Sequence, residues 1–527
     1  MKKIISILLG CAMLASLAGC STSKEPSEKP PTITAGTYKA EVKSIGGPLT
    51  VEVKLDDKAI ISVEVLDTND TDGIASVAFE RIADEVVKNQ SVNVDTVTGA
   101  TLSSIAMINA VKEAVAKGSD LSLFSKTSPY IAPVFDGKAD VVIVGGGFGG
   151  LTSAISSAKE GLSVVLVETK GYTGGTGLVA NGGMARTPAS IENENFHTTM
   201  KSLAEQAGFK LIPTVGYEGY SVQPDEGRSP MATMVAAMEN SAKKLGVTIL
   251  LETTADGLLT ENGTVTGITV TPANGKTYSI PAKAVVLATG GFGGNDKLVS
   301  KYLPQYSGAR TSTLPGVDGA ALAWIEEVDG ATYNLETDAN FYSINPTTGY
   351  HATNGSQDHV YVDKTGSLFA DTLDYSGVPK QAQLAFGNDT YYSIISVEKA
   401  EVNGMMEEIE HLLIAGAVME YDSIKAISDA YSLPNLMDTM TKLGYKDLTK
   451  FYVSPTVGTI YSTYGGIVID KNARVMNNSG KAVPGLYAVG EIIGSLTYKE
   501  KGYYYGQLVP AAIWGTIAGK TIAADLK

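Results

Sequence analysis

Six residues, Gly145-Gly146-Gly147-Phe148-Gly149-Gly150, constrain this chain more than any other feature. They follow a short apolar run, Ala139 to Val144, and precede a segment with helical spacing from about Leu151 to Glu160. A second run, Ser163 to Val167, ends at Glu168, eighteen residues beyond Gly150. Strand, glycine turn, helix, strand and acid in register predict a βαβ unit that binds a dinucleotide. Gly145, Gly147 and Gly150 allow the tight turn and let a pyrophosphate approach the helix N-terminus. Glu168 is placed to accept hydrogen bonds from the adenosine ribose. Unpaired N–H groups and the helix dipole favour the phosphate there.

The rest of the composition narrows the function. At roughly 150 residues per domain, 527 residues suggest two to four domains. Hydrophobic residues at 44% and charged residues at 18% are ordinary for a globular chain. A formal net charge of −15 argues against a nucleic-acid partner, whose phosphates need Lys and Arg. The two cysteines, Cys11 and Cys20, exclude a disulfide scaffold and a cysteine-ligated metal. His197, His351, His359 and His411 show no metal-ligand spacing, so no metal is expected. Only five arginines exist: Arg81, Arg186, Arg228, Arg310 and Arg474.

The N-terminus reads as an address. Lys2 and Lys3 precede an apolar run from Ile4 to Ala15, too short to span a bilayer. Leu17-Ala18-Gly19-Cys20 resembles the bacterial lipoprotein cleavage box, which implies removal of residues 1–19 and lipidation of Cys20. Ser21 to Pro31 reads as a solvated tether. The expected location is the outer face of the bacterial cell membrane, where free nicotinamide cofactors are scarce.

From Gly36 to about Gly118 strands precede helices. Val51, Val53 and Leu55 alternate, as do Ile61, Val63 and Val65, and Ile74 to Val87 and Ile105 to Ala116 have helical spacing. Between the helices lies Asp95-Thr96-Val97-Thr98-Gly99-Ala100-Thr101. This matches all five specified positions of D-x-x-T-G-A-T and resembles the flavinylation box of FMN-binding domains. The resemblance implies that Thr101 holds FMN through a phosphoester, attached by a flavin transferase. A hydroxyl at the mouth of a helix suits a phosphate. Gly99 permits close backbone approach, and Asp95 is a candidate to activate the hydroxyl or bind a metal during attachment.

The later motifs share one resemblance. Gly174-Gly175-Thr176 and Asn181-Gly182-Gly183-Met184 are similar to the isoalloxazine-side loops of the fumarate reductase/succinate dehydrogenase flavoprotein family. Val285 to Gly293, with Thr289 and Gly290, resembles that family's second FAD strand and turn, and Gly316-Val317-Asp318-Gly319 its G-D-G helix start. Tyr464 to Asp470 and Val483 to Glu491 resemble M-G-G-x-x-I-D and P-G-L-Y-A-A-G-E; Glu491 would contact the FAD ribitol. The resemblance, running from residue 35 onward, implies non-covalent FAD besides covalent FMN.

The expected fold class is α/β: a Rossmann-type FAD-binding domain with an inserted α+β capping domain, preceded by a small α+β FMN-binding domain. The expected division is a lipoprotein signal over 1–19, a tether over 20–34, the FMN-binding domain over 35–118 and a linker over 119–138. The FAD-binding domain follows over 139–334 and 453–527, interrupted by the cap over 335–452.

The family's substrate-clamping positions differ here. Q-x-H-P-T becomes Ser343-Ile344-Asn345-Pro346-Thr347, so Asn345 replaces the histidine. The proton-donating arginine falls at Ser376, beside Tyr375, and no arginine exists between Arg310 and Arg474 to restore it. H-H-T-M-G-G becomes Tyr461-Ser462-Thr463-Tyr464-Gly465-Gly466. The final clamp becomes Lys499 to Gly506, with Tyr503, Tyr504 and Tyr505. Tyrosine cannot replace an arginine fork on a carboxylate, so fumarate is rejected as substrate, and urocanate with it. The tyrosines resemble those of 3-ketosteroid dehydrogenases, as does Tyr505-Gly506-Gln507-Leu508-Val509-Pro510.

The expected function is reduction of an activated C=C bond in a small-molecule acceptor. Electrons come from a membrane quinol-linked or flavin donor through FMN to FAD. Tyr375 protonates the α-carbon, while Tyr461 and the group Tyr503, Tyr504 and Tyr505 polarise the activating carbonyl; Lys499 or Lys501 offers a cation if the acceptor is an acrylate. A ketosteroid-type dehydrogenase working oxidatively and a non-catalytic extracellular electron carrier stay open as alternatives.

Overall fold

The computed structural model describes residues 32–180, 183–187, 189–214, 218–349, 358–368, 390–445, 448–501 and 507–527. Its fold is α/β, with a Rossmann-type FAD-binding domain, an inserted α+β cap and a small α+β domain in front.

In the first domain, strands Gly36–Ser44, Gly47–Leu55 and Ile60–Thr68 form an antiparallel sheet in that order. Helices Ala75–Asn89 and Thr101–Ala116 pack on it. Alternate side chains Leu49, Val51, Val53 and Leu55 are buried, as a strand with one apolar face requires. The third strand departs from the expected alternation: Ile60 is buried and Ile61 is 44% exposed. A register shift between the pairs Lys54↔Ser62 and Leu55↔Ile60 leaves Ile61 as the extra residue of a bulge, which turns it outward.

The second domain is built on five parallel strands in the order Thr248–Leu250, Val164–Val167, Ala139–Val144, Tyr278–Leu287 and Ala482–Ala488. Val141 to Ile143 and Val285 to Leu287 are fully buried, as expected of central strands covered on both faces. Helix Phe148–Lys159 leaves the first of these strands through the glycine turn. Gly145 has φ +105°, and a Cβ on Gly150 would collide with the Gly145 carbonyl oxygen. Only glycine at both positions lets the helix start so close to its strand.

The C-terminal helix Leu508–Asp525 seats on Phe148–Lys159. A Cβ on Gly515 would lie 2.8 Å from the Gly149 carbonyl oxygen. Arg474 holds the far end of this helix, donating from Nη2 and Nε to Asp525 at 2.6 and 2.8 Å.

The cap is an antiparallel sheet in the order Ala339–Ile344, Phe451–Thr463, Tyr391–Ser396 and Val360–Val362, with Met419–Tyr421 beside Phe451–Thr463. It has two apolar clusters of its own, one around Ile394, Leu436 and Phe451 and one around Ile395, Ile409 and Leu412. The expected boundary at 452/453 falls inside the 13-residue strand Phe451–Thr463. That strand pairs with cap strands at one end and carries the Tyr464–Gly466 turn into the FAD-binding domain at the other, so no chain break marks the change.

The expected linker, 119–138, is tied down along its length. Phe124 is buried, Thr127–Ser128 pairs with Asn93–Val94, and Tyr130 N donates to Asp95 Oδ2 at 2.8 Å. Further on, Phe135 N donates to Tyr278 OH at 3.1 Å. The buried apolar residues of the first two domains form one continuous cluster. Among the described residues no helix is long and apolar enough to cross a membrane.

Gly515→Val should push the two packed helices apart. We expect a loss of about 1–3 kcal/mol in chemical denaturation, the usual cost of overpacking, with weaker retention of flavin on gel filtration.

Candidate active site

A cavity of about 670 Å³ opens at the C-terminal ends of the parallel strands, within the range of roughly 300–1,000 Å³ common for small-molecule sites. Gly145, Gly147, Phe148 and Gly149 form one part of its wall. Gly147 gives the helix no side-chain cap, which leaves first-turn N–H groups for a ligand. Gly150 is not part of the wall; it brings the helix close to the strand.

Glu168 stands beside the glycine turn at the end of Val164–Val167. It is 5% exposed and accepts from Gly146 N at 2.6 Å and Lys170 N at 2.9 Å. Lys170 Nζ lies 3.8 Å from Glu168 Oε1 and is the one cation among the described wall residues. The two backbone donors fix the carboxylate and leave acceptor capacity facing the cavity, as a ribose diol requires.

Gly175, Thr176, Gly183, Thr289, Gly290, Asp318 and Glu491 also line the cavity. Asn181 and Gly182 lie outside the described residues. Glu491 accepts from Thr463 N at 3.0 Å. Burial pushes its carboxyl up to about 7 against the pull of the Thr463 and Gly291 N–H groups. Its remaining exposure opens on the cavity, of which it is part. Beside it, Thr289 Oγ1, Ser462 Oγ and Gln507 Oε1 are buried without partners among the described residues. A glycine-lined cradle, a fixed ribose acid, an acid with spare acceptors and orphaned polar atoms fit an extended FAD.

Two cap strands complete the wall. Asn340 and Tyr342 come from Ala339–Ile344, and Tyr461 and Ser462 from Phe451–Thr463. Consecutive strand residues ordinarily face opposite ways. Here Asn340 pairs with Ser462 and Phe341 with Ile460, so Tyr461 is the extra residue of a bulge, and both neighbours reach the cavity. The Tyr342 and Tyr461 rings lie 5.7 Å apart at 40°. Burial, followed by the Glu491 charge, pushes the Tyr461 phenol up to about 12. It keeps its proton across the physiological range and acts as a hydrogen-bond donor.

Asn345 is not at the cavity. It is 2% exposed; its Nδ2 donates to Ala417 O at 2.9 Å and its Oδ1 accepts from Thr347 N at 2.8 Å and Thr348 N at 3.2 Å. That amide closes the turn after Ala339–Ile344, away from the cavity wall. Lys499 Nζ lies 4.4 Å from the Tyr333 ring centre, outside the described cavity wall. Tyr375, Ser376, Tyr503, Tyr504, Tyr505 and Cys20 lie outside the described residues, and so does the Lys501 side chain. Asn340, Tyr342 and Gln507 were not singled out in the sequence; the alternation of Asn340 and Tyr342 with buried positions in strand Ala339–Ile344 was the available signal for the first pair.

The Asp95–Thr101 box lies against the FAD-binding domain. Thr98 N donates to Glu252 Oε1 at 2.7 Å, Gly171 N to Thr98 O at 2.9 Å, and Tyr172 OH to Gly99 O at 3.3 Å. Glu252 also receives Arg81 Nη1 at 2.7 Å, and the Arg81 guanidinium lies 3.7 Å over the Tyr130 ring. Gly99 has φ +89° and faces the Lys170 and Tyr172 side chains. Asp95 is committed to Tyr130 N and to Asn274 Nδ2 at 3.4 Å. It thereby joins the linker to the second domain. Thr101 itself is exposed and starts its helix, with no side-chain cap at Ala100. Among the described residues no three His, Cys, Asp or Glu gather as metal ligands.

These features define a flavoprotein: a dinucleotide-type cofactor domain, a cap over its cavity and a docked accessory domain. An FAD binding domain family model matches residues 140–215 and 214–501, and an FMN-binding domain model matches residues 45–116. The chain belongs to the FAD binding domain family, as one of the fumarate reductase-like flavoproteins with a fused FMN-binding domain, and is a flavin-dependent oxidoreductase. It is 25% identical to a urocanate reductase of Eggerthella lenta over 97% of this chain and 96% of that protein. A vinyl phenol reductase of Lactiplantibacillus plantarum is 23% identical over 71% of this chain and 93% of that protein. Two other relatives are longer, and the chain spans 62% and 58% of them. The solved open form of a flavocytochrome c3 fumarate reductase shares the fold, with a TM-score of 0.64 and 19% identity over 73% of this chain and 78% of that one.

Glu491 sets a pH dependence in the flavin-free protein. Its ordinary value is 4.5 and its folded value about 7. Between these the folded state binds the extra proton, so stability is full below about 4.5 and falls as pH rises through about 7. Glu491→Gln should flatten the thermal midpoint of stripped protein between those pH values, removing a slope worth roughly 3 kcal/mol.

Proposed function

We propose that this chain is an extracytoplasmic, lipid-anchored reductase of an activated C=C bond, in an enone or similar acceptor and not in fumarate. One observation carries the reading: the cap strands bring phenols to the cofactor cavity, and none of the five arginines lines it. Arg81 pairs with Glu252, Arg186 with Glu218, Arg228 with Asp72, and Arg474 with Asp470 and Asp525, while Arg310 is exposed. A dicarboxylate such as fumarate is best held by a bidentate cation; a neutral carbonyl needs only a neutral donor.

FAD held in the cradle would supply two electrons to the acceptor, and FMN held at Thr101 would be their source. The chain's own work is binding, orientation and proton handling. The glycine turn would hold the pyrophosphate, and Glu168 and Glu491 would hold the sugar hydroxyls. Tyr461 donates to the activating carbonyl, where charge develops as the double bond is reduced. Tyr342 lies beside it and packs against a flat acceptor. The cap strands exclude water from the same space. Tyr375 is assigned the α-carbon proton, and Tyr505 a second carbonyl contact, from their positions beside the family's proton donor and clamp.

The relatives' names support reduction of C=C bonds in acceptors with and without a carboxylate. The Lys2 to Cys20 pattern supports export and lipidation. The exposed Thr101 hydroxyl at an uncapped helix start supports attachment of FMN by a flavin transferase, with a membrane quinol-linked or flavin donor upstream. Reoxidation of the reduced protein by enones, rather than by soluble flavins and metals alone, separates this reading from that of an electron carrier.

Tyr461→Phe should lower turnover about 10²–10³-fold, the usual cost of one oriented donor, with FAD retained. Unchanged turnover would remove Tyr461 from the mechanism. Thr101→Ala should lose the covalently bound flavin, read as intact protein mass; an added flavin mass in that variant would place the attachment elsewhere.

A further inference from the structure

The loop Asn69–Gly73, between strand Ile60–Thr68 and helix Ala75–Asn89, touches three parts of the molecule at once. Asn69 Oδ1 lies 2.7 Å from His411 Nδ1, and Asn69 Nδ2 donates to His411 O at 3.1 Å. His411 belongs to the cap helix Met406–Ile414. In the adjacent turn a Cβ on Gly47 would lie 2.9 Å from Ile414 Cγ2, a second contact with the same helix. Asp72 Oδ2 accepts from Ser229 N at 2.9 Å, and the Arg228 guanidinium lies 3.4 Å from Asp72 Oδ1. Ser229 caps helix Pro230–Lys244 of the FAD-binding domain. Beyond it, a Cβ on Gly73 would lie 2.7 Å from Leu178 Cδ2, in the turn Gly175–Val179 that borders the cavity.

Between these two arms sits Asp70, 9% exposed. It accepts from Ser44 Oγ at 2.5 Å, Ser103 Oγ at 2.6 Å and Gly46 N at 2.7 Å. Ser103 is in the first turn of the helix that begins at Thr101. Three donors on one buried carboxylate make the loop stiff, so a displacement at Asn69 passes to Asp72 and to Ser103 rather than being absorbed locally. The pinned segment 119–138 holds the first domain against its neighbour at other points.

We infer that Asn69 and Asp72 are positioning residues that tie the cap to the FAD-binding domain through the first domain, so that the seating of the cap and of the Thr101 helix are coupled. The first domain is then a strut across the active-site cleft as well as a flavin carrier. The inference rests on the proposed function only in treating Thr101 as the flavin-bearing residue; the tie itself is between protein groups.

Hydrogen–deuterium exchange on the full-length holoprotein tests it. His411→Ala should speed exchange about fivefold, the effect of losing one docking contact, in the cap helix and also in residues 101–104 and 229–233. Asp72→Ala should do the reverse, speeding exchange at 406–414 as well as at 229–233. Strand Ala139–Val144 should not change in either variant. Effects confined to the mutated side would overturn the coupling. Asp72→Ala alone could loosen the whole first domain, so His411→Ala, which lies outside that domain, decides. Flavin mass measured on the same samples separates the two ideas: its absence from the parent protein would refute flavin attachment and leave the exchange result standing.

Discussion

Helix Phe148–Lys159 lies so close to strand Ala139–Val144 that one methyl group on Gly150 would collide with the Gly145 carbonyl oxygen. That approach brings the uncapped end of the helix to the C-terminal edge of the parallel sheet, where the glycine turn, Glu168 and the Ala288–Gly290 turn converge on one cavity. The C-terminal helix repeats the device through Gly515, and its own first residues, Leu508, Val509 and Ala511, reach the same cavity. Small residues at these crossings replace side-chain packing with backbone approach, and the cofactor site is the space this leaves.

The segment 168–172 serves both flavin-binding units. Its first residue faces the cavity with a fixed carboxylate, while Gly171 and Tyr172 donate to the box that contains Thr101. Glu252 stands behind it, buried, with Thr98 N and Arg81 as its donors. A buried acid with both a charged and a backbone partner is costly to break. The first domain is accordingly packed against its neighbour through a continuous apolar cluster instead of hanging from a free linker.

On the cap side, one extra strand residue changes the chemistry. Without the bulge at Tyr461, either that phenol or Ser462 would face away from the cavity. With it, both are present beside Tyr342 and Asn340, in surroundings that keep the Tyr461 phenol neutral. The arginines that would suit a dianionic substrate are occupied elsewhere or exposed.

The glycine turn, the two buried strands, Glu168 and Glu491 were legible in the sequence because each depends on local spacing: period two, a helix start, an acid at a strand end. The first-domain box was legible for the same reason. The motifs that hold Asn345 and Asp95 say nothing of their partners far along the chain. One closes a turn against Ala417, and the other holds Tyr130 and Asn274. Tyr342 went unnoticed because its importance arises from a neighbour more than a hundred residues away. By itself, then, the sequence determined which backbone units form and which cofactors they suit, since those follow from nearest-neighbour sterics and repeating polarity. Only the tertiary structure decided which side chains face the cavity, through a strand bulge, and how three domains are pinned together, through a shared apolar cluster and hydrogen bonds between residues distant in sequence; neither leaves a periodic trace along the chain.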